Sequence, residues 1–544
     1  MTLTKEKKKV KKETFIQGIL ALMFSQVLIK IFGLIQTLYL TNREGFGDKG
    51  NSIYMNGYHI YALLLAISSI GVPNAIAKLI SERLALGDNK GAQRIFRIAF
   101  ATFAVIGFIG TLFLFFGANI IANNFLYVPE AEFTIKTLSP AIFFVSISSV
   151  MRGYFNGRQE MEATSKSQTF EQVFKTILTV ALVELAVFMT NQNTVVMATF
   201  ATIATSLATI LSFIYLFRFY KIARKEINVE NEVGVLTEKG SVKTIVKKIL
   251  GVSIPISISS ILSSINKNID SFTVVRLLKP KIGEKANELY GILSGKVDIL
   301  TSMPLAFNIA FATALVPAIS AARVKNDKET INNRISFSLL VTLLIGLPCT
   351  IGMLVYADGI LNLLFPAESA GAMLLAISAL TIFFTALAQT INGALQGLGK
   401  VKVPAIALGC GVIVKLIANL ILIPIDGIYA NGAAIGSVLC HIVSFSIVYY
   451  TLRKTVKLQF KLHRLMIRPV LATIIMMIFS YISYLLVINI ASSIRLATII
   501  AIIVAIIVYA ISVILLKIFS KTDILMLPKG EKIYNLLVKL KIYA

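Results

Sequence analysis

The sequence predicts an all-α fold: a polytopic membrane protein of about fourteen transmembrane helices, in two six-helix pseudo-repeat bundles plus two C-terminal helices. Three observations predict it. The 544 residues are 56% hydrophobic and only 15% charged, with mean hydropathy +0.80, where a soluble chain of this size carries about 25% charge. Apolar stretches long enough to cross a bilayer core recur along the whole chain. Lysine and arginine collect in alternate loops.

Span one, residues 15–40, sets the terms for the rest. As a helix it covers roughly 39 Å, against a bilayer core of about 30 Å. The basic start KEKKKVKK before an apolar run superficially resembles a signal peptide. The run is too long for one and further spans follow, so it reads as an uncleaved first helix. Lys30 lies near its middle, where a charge costs at least about 2.5–3.5 kcal/mol. Gln26, Gly33 and Thr37 share its face at helical spacing. That stripe must look onto protein or water. Further spans fall at 54–80, 96–121, 137–155, 170–190, 195–217, 249–275, 288–322, 335–357, 370–396, 403–424, 428–451, 465–488 and 492–516.

With the N-terminus in the cytoplasm, the inner segments hold 38 lysines and arginines and the outer segments 8. That is the bias of a bacterial plasma-membrane protein with both termini cytoplasmic. The net charge of +26 therefore reads as topology and contact with anionic inner-leaflet lipid. Nucleic acid is not an expected partner, because no basic, aromatic-interleaved soluble domain exists. The expected divisions are a basic tail at 1–14, an N-terminal bundle at 15–220, a cytoplasmic linker at 221–248, a C-terminal bundle at 249–454, spans thirteen and fourteen within 455–518, and a cytoplasmic tail at 519–544. The tail alternates lysines with Leu, Ile and Tyr, which suits either an interfacial helix or a solvated end.

A weak repeat supports the two bundles. Arg152-Gly153-Tyr-Phe-Asn-Gly157 lies 240 residues before Asn392-Gly393-Ala-Leu-Gln-Gly397, and Lys175 lies 240 before Lys415. Gly71-Val-Pro73 in span two parallels Leu315-Val-Pro317 in span eight. Six spans separate the copies, so both share one orientation and enclose a cavity between them.

The informative residues are charges and breaks inside spans. Gly71 and Pro73 are the expected hinge of span two, and Pro304 and Pro317 are expected to break span eight twice. Asn74 and Lys78 follow the first hinge; Lys78 either lines the cavity or snorkels to the interface. Lys267, Asp270, Lys296 and Asp298 share one depth about a turn near residue 283. They either neutralise each other or form a polar cavity wall. Glu171 and Lys175 read as a local i,i+4 pair and Arg152 as a snorkelling end residue. Glu184 and Lys415 are cavity, coupling or structural groups. Lys30, Lys78, Lys267 and Lys296 against Asp270 and Asp298 leave the cavity cationic, which favours an anionic cargo, and lysine ammonium groups suit phosphate oxygens.

Absences narrow the function. No Walker A motif is present, which excludes ATP hydrolysis by this chain. The three cysteines and three histidines have no metal spacing, so neither a metal nor a cofactor is expected. Outer loops lack paired carboxylates, which counts against a membrane glycosyltransferase or ligase. No voltage-sensor ladder or selectivity filter appears.

At GVPNAIAKLISERLALGD, MRGYFNGRQEMEATSKSQTFEQVFK and LAFNIAFATALVPAIS the chain resembles the lipid-linked oligosaccharide flippases of the multidrug/oligosaccharidyl-lipid/polysaccharide exporter superfamily. Within it, the resemblance is to the stage V sporulation protein B-like and MurJ-type lipid II flippases, and it covers essentially the whole chain. It implies a transporter, not an enzyme, carrying undecaprenyl-diphosphate-linked peptidoglycan precursor from inner to outer leaflet, in the service of cell-wall biogenesis and cell shape. It implies cationic cavity residues on spans one, two and eight, which match Lys30, Lys78 and Lys296, and a groove for the lipid tail at spans thirteen and fourteen. Candidate substrate-binding residues are thus Lys30, Lys78, Lys296, Gln26, Thr37 and Asn74. Transport would be coupled to the membrane potential or a monovalent cation, with cell-wall synthesis proteins as candidate partners. A flippase for another polyprenyl-linked glycan and a cation-coupled multidrug exporter are the alternatives.

Overall fold

The computed structural model describes residues 15–69, 71–158, 160–233, 241–456, 463–521, 524 and 530–539. All regular structure among them is helical. In a bilayer only helices and closed barrels satisfy every backbone group, so the apolar runs become helices.

The first half contains α1 (Phe15–Asn42), α2 (Gly47–Ser69), α3 (Gly71–Ala85), α4 (Asn89–Ile120), α5 (Ala131–Gly157), α6 (Met161–Thr190) and α7 (Thr194–Val233). The second contains α8 (Val242–Ile282), α9 (Lys285–Gly291), α10 (Asp298–Val324), α11 (Lys328–Val355), the short α12 (Ala357–Leu364), α13 (Ala372–Gly397), α14 (Val403–Leu422) and α15 (Asn431–Thr455). Then come α16 (Arg468–Ala491), α17 (Ile494–Leu515) and α18 (Gly530–Lys539). Among the described residues eleven helices are long and apolar enough to cross a membrane. Helices α1, α8 and α10 lie where the other three spans are expected; fourteen is the count from sequence.

The halves pack alike. Spans four, five and six of the first half make the same pairwise contacts as spans ten, eleven and twelve of the second, and span one lies on span five as α8 lies on α14. Even the turns repeat. Gly87 (φ +72°) and Asn326 (φ +54°) take left-handed conformations, where glycine and asparagine are least penalised. Asp88 and Asp327 follow them and cap α4 and α11 through Gly91 N and Thr330 N, each satisfying an orphan helix donor.

Close helix crossings are marked by small-xxx-small glycine pairs, which let backbones meet where lipid supplies no hydrophobic drive between helices. A Cβ on Gly153 would lie 2.8 Å from Pro73 O, and one on Gly157 2.8 Å from Ala77 O. Gly393 packs on Ala312 and Gly397 on Val316 and Ile319 in the same way. Packing therefore equates Pro73 with Ala312. The Val-Pro match of Pro73 with Pro317 is five residues out of this register.

The expected breaks of span eight move. In span two Pro73 lies in α3, and residue 70, between α2 and α3, is outside the described residues. Helix α10 continues through both Pro304 and Pro317; the Pro317 side chain lies outside the described residues. Span eight is irregular earlier, at a π-helical turn over Ile292–Val297. The linker expected at 221–248 is largely helix, since α7 runs on to Val233 and α8 starts at Val242.

The cores differ from end to end. At the predicted outer end one apolar cluster joins both halves, with Leu40, Ile53 and Tyr54 packed among Tyr290, Val297 and Phe365. At the predicted inner end there are two clusters, one around Ile76 and Phe155 that also takes in Ile249 of α8, the other around Ile319 and Ile391. The halves touch there where α8 crosses α3: a side chain on Gly71 would collide with Ser257. Helices α16 and α17 pair with each other and rest on α11 and α12, tied by Tyr509 Oη to Leu344 O at 2.8 Å and Tyr356 Oη to Ser480 Oγ at 2.8 Å.

Candidate functional site

Lys30 projects from α1 toward α10, and its Nζ lies 3.5 Å from Ser302 Oγ. Facing it, Lys267 of α8 stands 3.8 Å from the Asp298 carboxylate, their side chains 52% and 35% exposed. Lys30 is within electrostatic reach of both. Asp298 directly follows the π-turn, in a helix that runs on without a break into α10. One bundle thus supplies Lys30 and the other Lys267, Asp298 and Ser302. Exposed charges at mid-span depth border water rather than lipid, so the space between the bundles is aqueous here.

On α3, Asn74, Lys78, Ser81 and Glu82 form an open polar stripe, with Lys78 Nζ 3.9 Å from Glu82. Lys30, Lys78 and Lys267 face Asp298 and Glu82, an excess of one positive charge.

The other expected site residues are placed differently. Lys296 is fully buried in the π-turn. Its ammonium donates to Asp48 Oδ2 at 2.8 Å, Glu368 O at 2.7 Å and Ala370 O at 3.1 Å. All three N–H bonds are engaged, so in this conformation Lys296 joins the bundles and offers nothing to a cargo. Thr37 is 5% exposed and faces protein. Gln26 lies in α1, but its side chain is outside the described residues. Asp270 does not belong to the open wall: it is buried against Lys415 Nζ at 2.6 Å and Asn419 Nδ2 at 3.0 Å. Lys415 also donates to Asn266 O at 2.8 Å, so this pair staples α8 to α14. Glu184 holds Arg43 at 2.8 and 2.9 Å and accepts from Tyr39 Oη at 2.6 Å, which clamps α6 to the end of α1. Arg152 does not snorkel; it is buried on Ser167, Glu171 and Ser212. Glu171 is thereby taken, and Lys175 lies 4.5 Å over the Tyr58 ring instead.

Sequence reasoning missed two features. His59 of α2 is buried against Ser271 Oγ at 3.2 Å and Tyr290 Oη at 2.9 Å, and Asn268 Nδ2 donates to its carbonyl at 3.0 Å. Together with Asp48–Lys296 it bolts α2 to α8 and α9 across the bundle boundary. The available signal was Gly291-Ile-Leu-Ser-Gly295, a small-xxx-small pair whose glycines press onto Asp48 and Asn51. The second is a cavity of about 230 Å³ within the first bundle, lined by Tyr58, Tyr61, Arg152, Glu171 and Lys175 and reaching Ile29 beside Lys30.

Comparison with known proteins fits this geometry. The family model described as polysaccharide biosynthesis protein matches residues 15–323. The chain belongs to that family. A second model, MatE, matches residues 255–421. The lipid II flippase MurJ of Bacillus subtilis (strain 168) is 24% identical over 463 residues, 82% of this chain and 84% of that protein. Stage V sporulation protein B of the same organism is 26% identical over 366 residues, 67% and 69% of the two chains. Among solved structures, lipid II flippase MurJ in an inward closed conformation aligns with TM-score 0.66 at 16% identity, covering 91% of this chain and 98% of that one. An inward-facing multidrug resistance MATE family transporter of the MOP superfamily gives TM-score 0.66 at 16% identity, covering 82% and 98%. The fold is that of the solved MurJ and MATE transporters, and these relatives and structural neighbours are flippases and transporters, not enzymes. This family member is a multi-pass membrane protein.

Proposed function

We propose that the chain flips a lipid-linked glycan, and that its cargo is the undecaprenyl-diphosphate peptidoglycan precursor lipid II. The observation that carries the reading is the cationic cluster of Lys30 and Lys267 in the open space between two bundles. The MurJ relative aligns over most of both chains. The diphosphate head enters between the bundles from the cytoplasmic side, where Lys30, Lys78 and Lys267 offset its charge. The prenyl tail stays in lipid beside α16 and α17. The bundles then part at the outer end, releasing Asp48–Lys296 and the His59 contacts, and close at the inner end. The protein works in the bacterial plasma membrane with both termini cytoplasmic.

A potential negative inside is worth about 2.3 kcal/mol per charge per 100 mV. It drives an anionic head outward and returns an emptied cationic cavity inward. Flipping of lipid II in reconstituted vesicles should fall when the potential is dissipated; an unchanged rate excludes this coupling and leaves a monovalent cation as the driver. Lys30→Ala should abolish complementation of a flippase-depleted strain with the protein still in the membrane, and normal growth would refute the role of Lys30. The MatE match favours a second reading, multidrug export. The lysines of the cavity count against cationic drugs. Native mass spectrometry with lipid II, another polyprenyl-linked glycan and a cationic drug separates the readings by which one is retained.

A further inference from the structure

At the predicted inner end, the first turns of α8 meet the end of α3 and the start of α4 around a narrow cleft. Its floor is apolar, from Leu79, Ile95 and Ile245, and its rim carries Arg83, Arg94 and Lys248. The walls come from both bundles. Asp88 beside it is buried and committed: one carboxylate oxygen caps α4 through Gly91 N at 2.7 Å, and the other lies 3.4 Å from Arg83 Nη1. Arg94 and Lys248 have no ion-pair partner among the described residues. Two uncompensated cations therefore converge over an apolar floor at the depth of the lipid headgroups.

We propose that the rim of this narrow cleft holds the phosphodiester of an anionic membrane lipid, whose acyl chains stay in the adjoining bilayer. The cations match phosphate oxygens, and anionic lipid is concentrated at the cytoplasmic leaflet. A free phosphate would use the same rim but lacks the acyl chains that hold a lipid phosphate at this depth. Because Arg94 stands on one bundle and Lys248 on the other, the bound lipid braces the bundles together at this end. The cleft loses its second wall when α3 and α8 separate, so anionic lipid holds the inner end at the spacing seen here. This holds whatever the transported cargo is.

The test uses the full chain in nanodiscs of phosphatidylcholine, with or without phosphatidylglycerol. Spin labels at Leu86 and Val242, both exposed, report the distance between the ends of α3 and α8. Phosphatidylglycerol should narrow that distance distribution and shift it toward the spacing seen here. In R94Q/K248Q the shift should vanish and phosphatidylglycerol retention in native mass spectrometry should weaken about thirtyfold, from two surface cations. R94K/K248R should keep the effect, and so should R453Q/K454Q, which removes two charges from the same predicted face outside the cleft. No shift with phosphatidylglycerol in the parent, or an equal shift in R94Q/K248Q, overturns the proposal. Millimolar inorganic phosphate reproducing the shift in phosphatidylcholine overturns the assignment to lipid.

Discussion

Lysines do two jobs in this chain, and burial sorts them. Lys296 has no exposed surface and three acceptors. Removing it strands Asp48 in the interior, which costs about 3–5 kcal/mol. Lys296→Ala should therefore lower the thermal unfolding midpoint of the purified protein sharply, and Asp48→Ala added to it should restore most of the loss. Lys30 is open, and its hydrogen-bond partner among the described residues is Ser302. Lys30→Ala should change stability by no more than about 0.5 kcal/mol while stopping transport. Equal destabilisation by the two substitutions would remove the distinction between latch and cargo site. Lys415 stands with Lys296, since its ammonium is spent on Asp270 and Asn266 O.

At the scale of helices, glycine spacing decides where elements cross. The pairs 153/157, 393/397 and 291/295 each seat one helix on another's backbone. The first two repeat within the bundles, and the third crosses between them. Gly291→Val would push α2 away from the π-turn at Asp48. In a background with Cys349, Cys410 and Cys440 replaced by serine, Ser294→Cys should resist a membrane-impermeant thiol reagent added outside, because Ser294 is 4% exposed. Adding Gly291→Val should make it react. Continued protection would mean that the crossing tolerates the bulk and is not the seal.

For the whole molecule, one core shared at the predicted outer end contrasts with two at the other, where α8 alone of the second half's helices enters the first half's described cluster; this describes a clamp closed on the outer side. Its polar bolts are Asp48–Lys296 and His59–Tyr290. Cysteines in place of Asp48 and Lys296, joined by a short reducible crosslinker, should hold the outer end shut and stop flipping, with activity returning on reduction. Flipping by the crosslinked protein would show that this end need not open.

Much of this was legible in sequence because a bilayer is a demanding solvent. Hydrocarbon forces long apolar helices, the charge bias follows the loops, and a charge at mid-span stands out as Lys30 does. The repeat could be read because the same glycines serve the same crossings in both halves. Partner choice was not legible. Lys267, Asp270, Lys296 and Asp298 share a depth, yet helix rotation turns Lys267 and Asp298 to the open cavity, Asp270 to α14, and Lys296 through a π-turn into the seam with α2. Depth follows from counting residues along one helix. Which neighbour a side chain meets depends on how helices far apart in the chain rotate and pack, and that was decided only by the tertiary structure.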